Sequence, residues 1–327
     1  MIDVSIIIVN YRTAQLVVDC LRSVFEKTQG IQYEVIVVDN DSGDDSLVKL
    51  RDTFGDRIKL IASKENLGFG KGNNLGAESA SGRYLFLLNP DTVLINNAIQ
   101  ILAEYLDQHP EAGAAGGNLF FPDMRPAPSF CLRFDDLDLE RERAAWQYIL
   151  GRKIKDKLET KNGNSVGQKM SEFNGSGNVL QVAYVFGADM MIRHDLFQKL
   201  NGFDRDFFMY GEEEEFSRRI QKAGYSIVSV PGAEIIHLEG AATATKTAFN
   251  ERQYRMRMQG TMTYYWKSFG LQSVSEFYRL RSLRHKRLIA IASLRGKKLD
   301  DFGPSRQQRI LNDVFAQFMK DREAEHG

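Results

Sequence analysis

The stretch Tyr84-Leu85-Phe86-Leu87-Leu88-Asn89-Pro90-Asp91-Thr92 decides the fold class of this chain. Its first five residues are all apolar, as in a strand that is buried on both faces of a parallel sheet. Asn89-Pro90-Asp91 then ends the strand with a turn signal. Because ligands of open α/β sheets bind beyond the carboxyl ends of the strands, we expect Asn89 and Asp91 to lie at the edge that carries the functional site.

Asp91 has two interpretations on this evidence. A carboxylate at a rigid strand end is suited to hold a hard divalent cation against a diphosphate. In the alternative, Asp91 belongs to a plain turn and caps the following helix. The pattern alone does not separate the two.

Strands and helices alternate along the first part of the chain. Further apolar strands are predicted at Val4–Val9, Glu34–Val38 and Ile58–Ala62, and a later one at Val182–Phe186. The segments between the first strands carry apolar residues at helical spacing, which indicates helices with one buried face. This alternation predicts βαβ units and a mostly parallel sheet.

The bulk composition excludes several classes of protein. Among 327 residues, Lys and Arg number 43 and Asp and Glu number 43, so the charge balance does not indicate binding to nucleic acid. Cys20 and Cys131 are far apart, which indicates neither a disulfide framework nor a zinc site. The N-terminus lacks the pattern of a signal peptide, and no apolar run is long enough to span a membrane. We therefore expect a cytoplasmic protein.

A glycine-rich loop, Asn66-Leu67-Gly68-Phe69-Gly70-Lys71-Gly72-Asn73-Asn74, opens a predicted helix. Such a loop can bring backbone N–H groups and Lys71 close to phosphates. It is not a Walker A sequence, and it lacks the third glycine of a dinucleotide-binding loop. A tight turn without a ligand explains the glycines equally well.

Two later segments depart from the strand–helix alternation. Residues 122–180 are rich in polar residues, and we interpret them as a mobile insertion within a domain that spans residues 1–240. Residues 241–327 are predicted to form a C-terminal helical extension. Within it, residues 277–291 combine apolar positions with five basic residues, which predicts either a solvated helix or attachment to an anionic membrane surface, in this case the inner face of the plasma membrane.

Four glutamates, Glu212 to Glu215, begin another predicted helix. Acidic residues at a helix N-terminus stabilise the helix through its macrodipole, so the cluster does not require a function. Helical spacing directs Glu212 and Glu213 inward, and it directs Glu214 and Glu215 outward to pair with the arginines four residues later. Because inward carboxylates need a hydroxyl, a cation or water as partner, Glu212 and Glu213 are candidate functional residues.

Together these segments resemble the nucleotide-sugar glycosyltransferases of family 2, which have the GT-A fold, a mostly parallel Rossmann-like sheet flanked by helices. The similarity is strongest to the rhamnosyltransferase-like branch, which acts in surface-polysaccharide assembly. The matching segments are Val4–Tyr11, Val37–Ser42, Asn66–Gly70 with Asn73-Asn74, Leu88–Thr92, Val185–Ala188, Gly202–Asp204, Phe207–Glu212 and His237.

The resemblance implies an inverting transfer from a nucleoside-diphosphate sugar, with L-rhamnose as a candidate, to a hydroxyl of a saccharide or lipid-linked saccharide. Asp39 and Asn40 would meet the base and ribose. Asn89 and Asp91 stand at the metal motif Asp-x-Asp of the family, and His237 resembles a further contact to the metal, Mg²⁺ or Mn²⁺, or to the diphosphate. Other donor contacts are implied for Asn10, Asn66, Gly68, Phe69 and Asn73.

The acceptor side of the family usually carries a Glu-Asp pair, in which the Asp is the general base. Here the pair reads Glu212-Glu213, so the resemblance implies Glu213 as the base, with Glu212 as the alternative. Two other classes stay open. A nucleotidyltransferase would use a similar sheet but would need a glycine-rich basic loop after the first strand, and Asn10-Tyr11-Arg12-Thr13 is not one. A binder of nucleotide sugars without catalytic activity would need no base.

Overall fold

The computed structural model describes residues 2–145, 149, 171–238, 249–296, 298–299 and 303–326. The chain divides into two compact units. The sheet unit comprises Met1–Phe134 and Lys169–Lys246, and the helical unit comprises Asp135–Gln168 and Thr247–Gly327. None of the helices in the described ranges is long and apolar enough to cross a membrane.

The regular elements follow one another along the chain with few interruptions. The first part contains β1 (Val4–Asn10), α1 (Ala14–Lys27), β2 (Tyr33–Asp39), α2 (Ser46–Phe54), β3 (Lys59–Ala62), α3 (Gly68–Ala77), β4 (Tyr84–Leu88), β5 (Thr92–Leu94), α4 (Ala98–Gln108), β6 (Ala112–Phe120), β7 (Phe130–Cys131) and α5 (Leu137–Ala144). The second part contains β8 (Ser171–Glu172), β9 (Leu180–Gln181), β10 (Tyr184–Val185), β11 (Asp189–Arg193), α6 (His194–Lys199), α7 (Glu212–Lys222), β12 (Ser226–His237), α8 (Glu251–Phe269), α9 (Leu271–Ser293) and α10 (Gly303–His326).

The main sheet of the sheet unit has the strand order β3-β2-β1-β4-β11-β6-β12-β5, and β9 also pairs with β12. The long ladders of β1 with β2 and of β6 with β12 are parallel, whereas β11 runs antiparallel to both of its neighbours. The prediction of a mostly parallel sheet is therefore confirmed. The strands β10, β7 and β8 form a separate small sheet.

Helices cover both faces of the main sheet, and each face has its own apolar core. One core joins the sheet to α1, α2 and α4 through residues that include Val17, Leu50 and Ile99. The other joins it to α3, α6 and α7 through residues that include Ala77, Phe197 and Phe216. The strand Tyr84–Leu88 is buried along its whole length, as its continuous apolar sequence predicts.

The segment 122–180 differs from the predicted insertion. Its first and last parts carry β7, β8 and the start of β9 within the sheet unit, whereas residues 135–168 belong to the helical unit. The predicted mobility falls mostly on residues 146–148 and 150–170, which lie outside the described residues. The predicted strand Val182–Phe186 is also wrong in its bounds, because the structure has two separate strands, β9 just before this segment and β10 within it. Each has only two residues, which is too short to show an alternating pattern in the sequence.

A buried ionic cluster lies within the helical unit. The side chain of Glu140, on α5, is only 1% exposed, and its Oε1 accepts hydrogen bonds of 2.7 Å from both Arg143 and Arg281. Burial by itself would raise the pKa of Glu140, but the guanidinium groups of Arg281 and Arg143 outweigh it and lower that pKa to about 2. This pairing explains why a carboxylate can be buried in a strongly charged helix, which an apolar pattern does not reveal.

The same packing corrects the predicted amphipathic face of residues 277–291. Phe277 is buried and stacks on Tyr265, with 4.8 Å between ring centroids, and Leu280 is buried as well. Arg281 is paired with Glu140 rather than with solvent or lipid. Arg279 pairs with Glu276, and Arg287 donates to the carbonyl oxygen of Ala144. Half of the apolar face and at least three of the five basic residues therefore have partners inside the helical unit.

We expect Glu140→Gln to lower the free energy of unfolding at pH 7 by up to about 3–5 kcal/mol, because it removes the anion shared by Arg281 and Arg143, whose side chains are only 14% and 18% exposed. Arg143 keeps Asp135 as a partner, so most of the loss should come from Arg281. A lowered pKa in the folded state stabilises above the ordinary value of 4.5, and this contribution is lost as the pH falls towards 2. The difference between wild type and variant should therefore shrink below pH 4.5 in thermal unfolding.

The matched control is Glu276→Gln in the same unit, which removes an ion pair with Arg279, whose side chain is 63% exposed. This change should cost less than about 1 kcal/mol. Equal losses for the two variants would contradict a stabilising role of the Glu140 cluster.

Candidate active site

The carboxyl ends of β1 and β2 bring three polar side chains together. Asn10 Nδ2 donates to Asp39 Oδ1 at 2.7 Å and to Ser42 Oγ at 3.1 Å, and Ser42 Oγ donates to Asp39 Oδ1 at 2.6 Å. All three residues are buried. Asn10 and Asp39 thus lie at the predicted edge, but their side chains bond to each other and to Ser42. Ser42 is not among the candidate residues predicted from the sequence, although its spacing of three residues from Asp39 is that of a turn closed by side-chain bonds.

Asn40 connects the end of β2 to the glycine-rich loop. Its Nδ2 donates to Asn66 Oδ1 at 3.1 Å and to the carbonyl oxygen of Gly68 at 3.0 Å. Its Oδ1 accepts from the backbone N–H of Leu67 at 2.9 Å. Asn40 and Asn66 therefore hold the loop in place, and both lie beside the carboxyl edge of the sheet.

The glycine-rich loop packs against the segment that precedes α7. Gly68 has a φ of +78°, and a Cβ added there would lie 1.9 Å from the carbonyl oxygen of Phe208. The backbone N–H of Phe69 donates to that same oxygen at 3.0 Å. Asn73 is buried and donates to the carbonyl of Phe69 at 3.0 Å, so its side chain turns back onto its own helix. A close backbone approach explains the glycine at position 68.

Asp91 and His237 meet where β5 pairs with β12. The distance between Asp91 Oδ1 and His237 Nε2 is 3.3 Å, and the side chains are 13% and 20% exposed. The alternative in which Asp91 caps the next helix is wrong, because α4 begins at Ala98 with Asn97 at its N-cap position. The backbone of Asn89 is fixed nearby, since its N–H donates to Ala188 and its carbonyl accepts from Thr92.

The donor atoms of this pair fit a divalent cation that is shared with a substrate. A carboxylate and a neutral imidazole are both metal ligands. Within the described part of the chain, no three His, Cys, Asp or Glu side chains converge on one point. The pair can therefore hold Mg²⁺ or Mn²⁺ only if phosphate and water oxygens complete the coordination.

The first turn of α7 places Glu212 and Glu213 beside glycines of other segments. The Cγ of Glu212 lies 3.6 Å from an added Cβ at Gly70, and the Cβ of Glu213 lies 4.0 Å from one at Gly187. Glu212 is 2% exposed, and its Oε2 has no hydrogen-bond partner among the described residues. Burial, and then the negative charge of Glu213, raise the pKa of Glu212 well above its usual range.

The predicted outward direction of Glu214 and Glu215 is wrong. They are only 8% and 7% exposed, whereas Glu213 is half-buried. The predicted pair of Glu215 with Arg219 is present at 2.8 Å. Arg219 also donates to the carbonyl oxygens of Leu200 and Gly202. The turn formed by these residues therefore covers the face of α7 that helical spacing predicts to be exposed.

We expect Gly68→Ala to destabilise the protein by about 1–3 kcal/mol more than Gly177→Ala, because overpacking adds to the backbone strain. Gly177 is a matched control, since its φ of +73° is close to that of Gly68 but an added Cβ there meets nothing within 4 Å. Denaturant unfolding of the two variants measures the difference. Equal destabilisation would show that the loop moves away from Phe208 without cost.

Comparisons with known proteins agree with this geometry. The profile described as "Glycosyl transferase family 2" matches residues 5–171, and the one described as "N-terminal domain of galactosyltransferase" matches residues 169–240. An N-acetylglucosaminyl-diphospho-decaprenol L-rhamnosyltransferase of Mycobacterium tuberculosis is 25% identical over 202 residues, which are 58% of this chain and 62% of that protein. The chain thus spans less than two thirds of the length of this relative.

An Escherichia coli enzyme, UDP-Glc:alpha-D-GlcNAc-diphosphoundecaprenol beta-1,3-glucosyltransferase, is 30% identical over 98 residues, which are 30% of this chain and 38% of the enzyme. Among solved structures, a mannosyltransferase of Pyrobaculum calidifontis with GDP-Man and Mn²⁺ is similar with a TM-score of 0.56 and 16% identity, covering 97% of this chain and 87% of its own. Residues 1–349 of TarS from S. aureus match with a TM-score of 0.50 and 12% identity, covering 98% and 92% of the two chains. The chain belongs to glycosyltransferase family 2 and has the GT-A fold.

Proposed function

We propose that this protein is an inverting glycosyltransferase. It moves a sugar from a nucleoside diphosphate to a hydroxyl of a saccharide or lipid-linked saccharide in surface-polysaccharide assembly. L-rhamnose is the sugar in the name of the mycobacterial relative, and the names of the mycobacterial and Escherichia coli relatives both give a GlcNAc-diphosphoprenol as acceptor. We therefore take nucleoside-diphosphate L-rhamnose and N-acetylglucosaminyl-diphosphoprenol as the first substrates to test.

The acidic pair at the start of α7 is the observation that carries this proposal. The side chain of Glu212 lies beside Gly70 of the glycine-rich loop. The Cβ of Glu213 lies beside Gly187, which itself contacts Phe69 of that loop. A helix N-terminus alone would not require a buried carboxyl oxygen without a hydrogen-bond partner, yet Oε2 of Glu212 has none in the part of the chain that the structure describes. A substrate hydroxyl at this point would give the pair a function.

The two carboxyl groups of the pair take different roles. Burial and the charge of Glu213 raise the pKa of Glu212, which favours the neutral form of this buried carboxyl group. We therefore assign the base to the half-buried Glu213. Glu213 is the base: it takes the proton of the acceptor hydroxyl while the hydroxyl oxygen forms its bond to the anomeric carbon. The bond from that carbon to the diphosphate breaks on the opposite face, and the nucleoside diphosphate leaves with the electron pair.

The donor nucleoside is assigned to the carboxyl ends of β1 and β2. Asp39 and Asn40 form the wall that would meet the base and ribose, and Asn10 holds Asp39 in its orientation. The loop residues Asn66, Gly68, Phe69 and Asn73, together with Asn89 at the end of β4, complete the proposed donor side. These assignments rest on the bonds that connect the residues and on the family to which the chain belongs.

Asp91 and His237 would hold the divalent cation, Mg²⁺ or Mn²⁺. When bound, such a cation stabilises the negative charge of the departing diphosphate. The Pyrobaculum mannosyltransferase, with GDP-Man and Mn²⁺ in its structure, supports the use of a metal. Asn89 occupies the position of the first Asp in the metal motif of the family, so Asp91 is the one carboxylate in this motif.

Attachment to the inner face of the plasma membrane stays a prediction, as does the cytoplasmic location. Burial of Phe277 and Leu280 reduces the surface that residues 277–291 could offer to lipid. Lys286 is exposed, whereas Leu288 and Ile291 are half-buried. An anionic surface would therefore be met by basic side chains more than by an apolar face.

We expect wild-type protein with Mn²⁺ to transfer L-rhamnose from its nucleoside diphosphate to N-acetylglucosaminyl-diphosphoprenol, with inversion at the anomeric carbon. Glu213→Gln should lower single-turnover transfer roughly 10²–10⁴-fold, because the amide cannot accept the proton. Donor affinity should stay within a few-fold of wild type. Product analysis by NMR and rapid-quench transfer measure the two quantities.

The matched control is Glu215→Gln, which removes a carboxylate paired with Arg219 on the same helix turn and should retain transfer. Retention of anomeric configuration, or normal transfer by Glu213→Gln together with an inactive Glu212→Gln, would contradict the assignment of the base. Absence of transfer from a broad panel of nucleotide sugars would contradict the function itself.

We expect Mn²⁺ to tighten nucleoside-diphosphate binding to wild-type protein by at least about tenfold, since a shared cation neutralises phosphate charge. Asp91→Asn should lose this enhancement, whereas Asp52→Asn, an exposed change on α2, should keep it. Calorimetric titration with and without Mn²⁺ makes the comparison. Enhancement of equal size in all three proteins would place the cation elsewhere.

A further inference from the structure

Asn74, on α3, holds the backbone of a residue far along the chain with both atoms of its amide. Its Nδ2 donates to the carbonyl oxygen of Phe203 at 2.8 Å, and its Oδ1 accepts from the backbone N–H of Phe203 at 2.9 Å. An added Cβ at Gly202 would lie only 2.4 Å from that Oδ1. Two bonds to one residue fix both the position and the orientation of Phe203 relative to α3.

The ring of Phe203 lies between the glycine-rich loop and α7, the helix that begins with the four glutamates. Its centroid is 6.0 Å from that of Phe69 and 5.0 Å from that of Phe216, on α7. The Cβ of Phe203 is 3.0 Å from an added Cβ at Gly70, so the backbone of α3 also touches it. Phe216 comes four residues after Glu212, on the same face of α7.

We propose that Asn74 is a positioning residue for the reaction. It holds Phe203 as a spacer that sets the distance between the donor-side loop and the acids of α7. The inference rests on the proposed function of Glu212 and Glu213. An error of about 1 Å in such a distance can lower the rate about 10²-fold without a change in donor binding.

A second asparagine makes the same pair of bonds away from the site. Asn97 Nδ2 donates to the carbonyl of Gln29 at 3.0 Å, and the N–H of Gln29 donates to Asn97 Oδ1 at 3.3 Å. Gln29 follows the end of α1, a helix of 14 residues that starts near the site, so it lies roughly 20 Å along that helix. Substitution of Asn97 therefore measures how much stability is lost when two such hydrogen bonds are removed far from the site.

The test compares Asn74→Ala, Asn74→Asp and Asn97→Ala in the full chain. For both Asn74 variants we expect kcat to fall about 10-fold to 10²-fold, with the dissociation constant of the nucleoside diphosphate within about threefold of wild type. Asn74→Asp keeps the acceptor for the N–H of Phe203, so its loss should be the smaller one. Asn97→Ala should keep the wild-type kcat even where its melting temperature falls as much.

Hydrogen exchange of the segment 203–213 supplies a readout that does not depend on turnover. Faster exchange of this segment in Asn74→Ala than in Asn97→Ala would support the spacer role, even if every donor fails and the proposed function is lost. A fall in kcat no larger than that of Asn97→Ala would overturn the proposal. Unchanged exchange in the segment would overturn it as well.

Discussion

The contact between the glycine-rich loop and the segment before α7 is the constraint on which the site depends. The backbone of Gly68 and Phe69 meets the carbonyl of Phe208, and the meeting is so close that position 68 has no room for a side chain. The contact joins parts of the chain that are 140 residues apart in sequence. Through it, the carboxyl edge of the parallel strands and the acidic helix become walls of one site.

The strands and the edge of the sheet could be predicted from the sequence, because buried parallel strands are continuous in their apolar character. Asp91 and His237 could also be paired, but only through the resemblance to a family. The burial of Glu214 and Glu215 could not be predicted. Helical spacing shows which residues of a helix share a face, but it does not show that the turn at Leu200–Gly202 packs on that face. Nor does a motif show that Asn10 and Asp39 bond to each other.

The helical unit shows a second reason for such limits. Pattern analysis treats charge as a mark of the surface, yet Glu140 is buried between Arg143 and Arg281. A charged side chain can be buried when oppositely charged partners accompany it. Whether a charged residue lies inside the protein therefore depends on its partners and not on its residue type alone. Of the two partners, Arg281 is 141 residues from Glu140 in sequence, which is beyond the reach of any local pattern.

The glycine at position 187 has a consequence for how this site can change over evolutionary time. A methyl group there would lie 3.2 Å from the ring of Phe69 and 4.0 Å from Glu213, so one substitution would press on the loop and approach the acid together. A substitution at Gly187 therefore requires the ring of Phe69 to shift by a few tenths of an ångström. The exposed ring of Phe208 is freer to vary, because the loop contacts the backbone carbonyl of this residue and not its side chain.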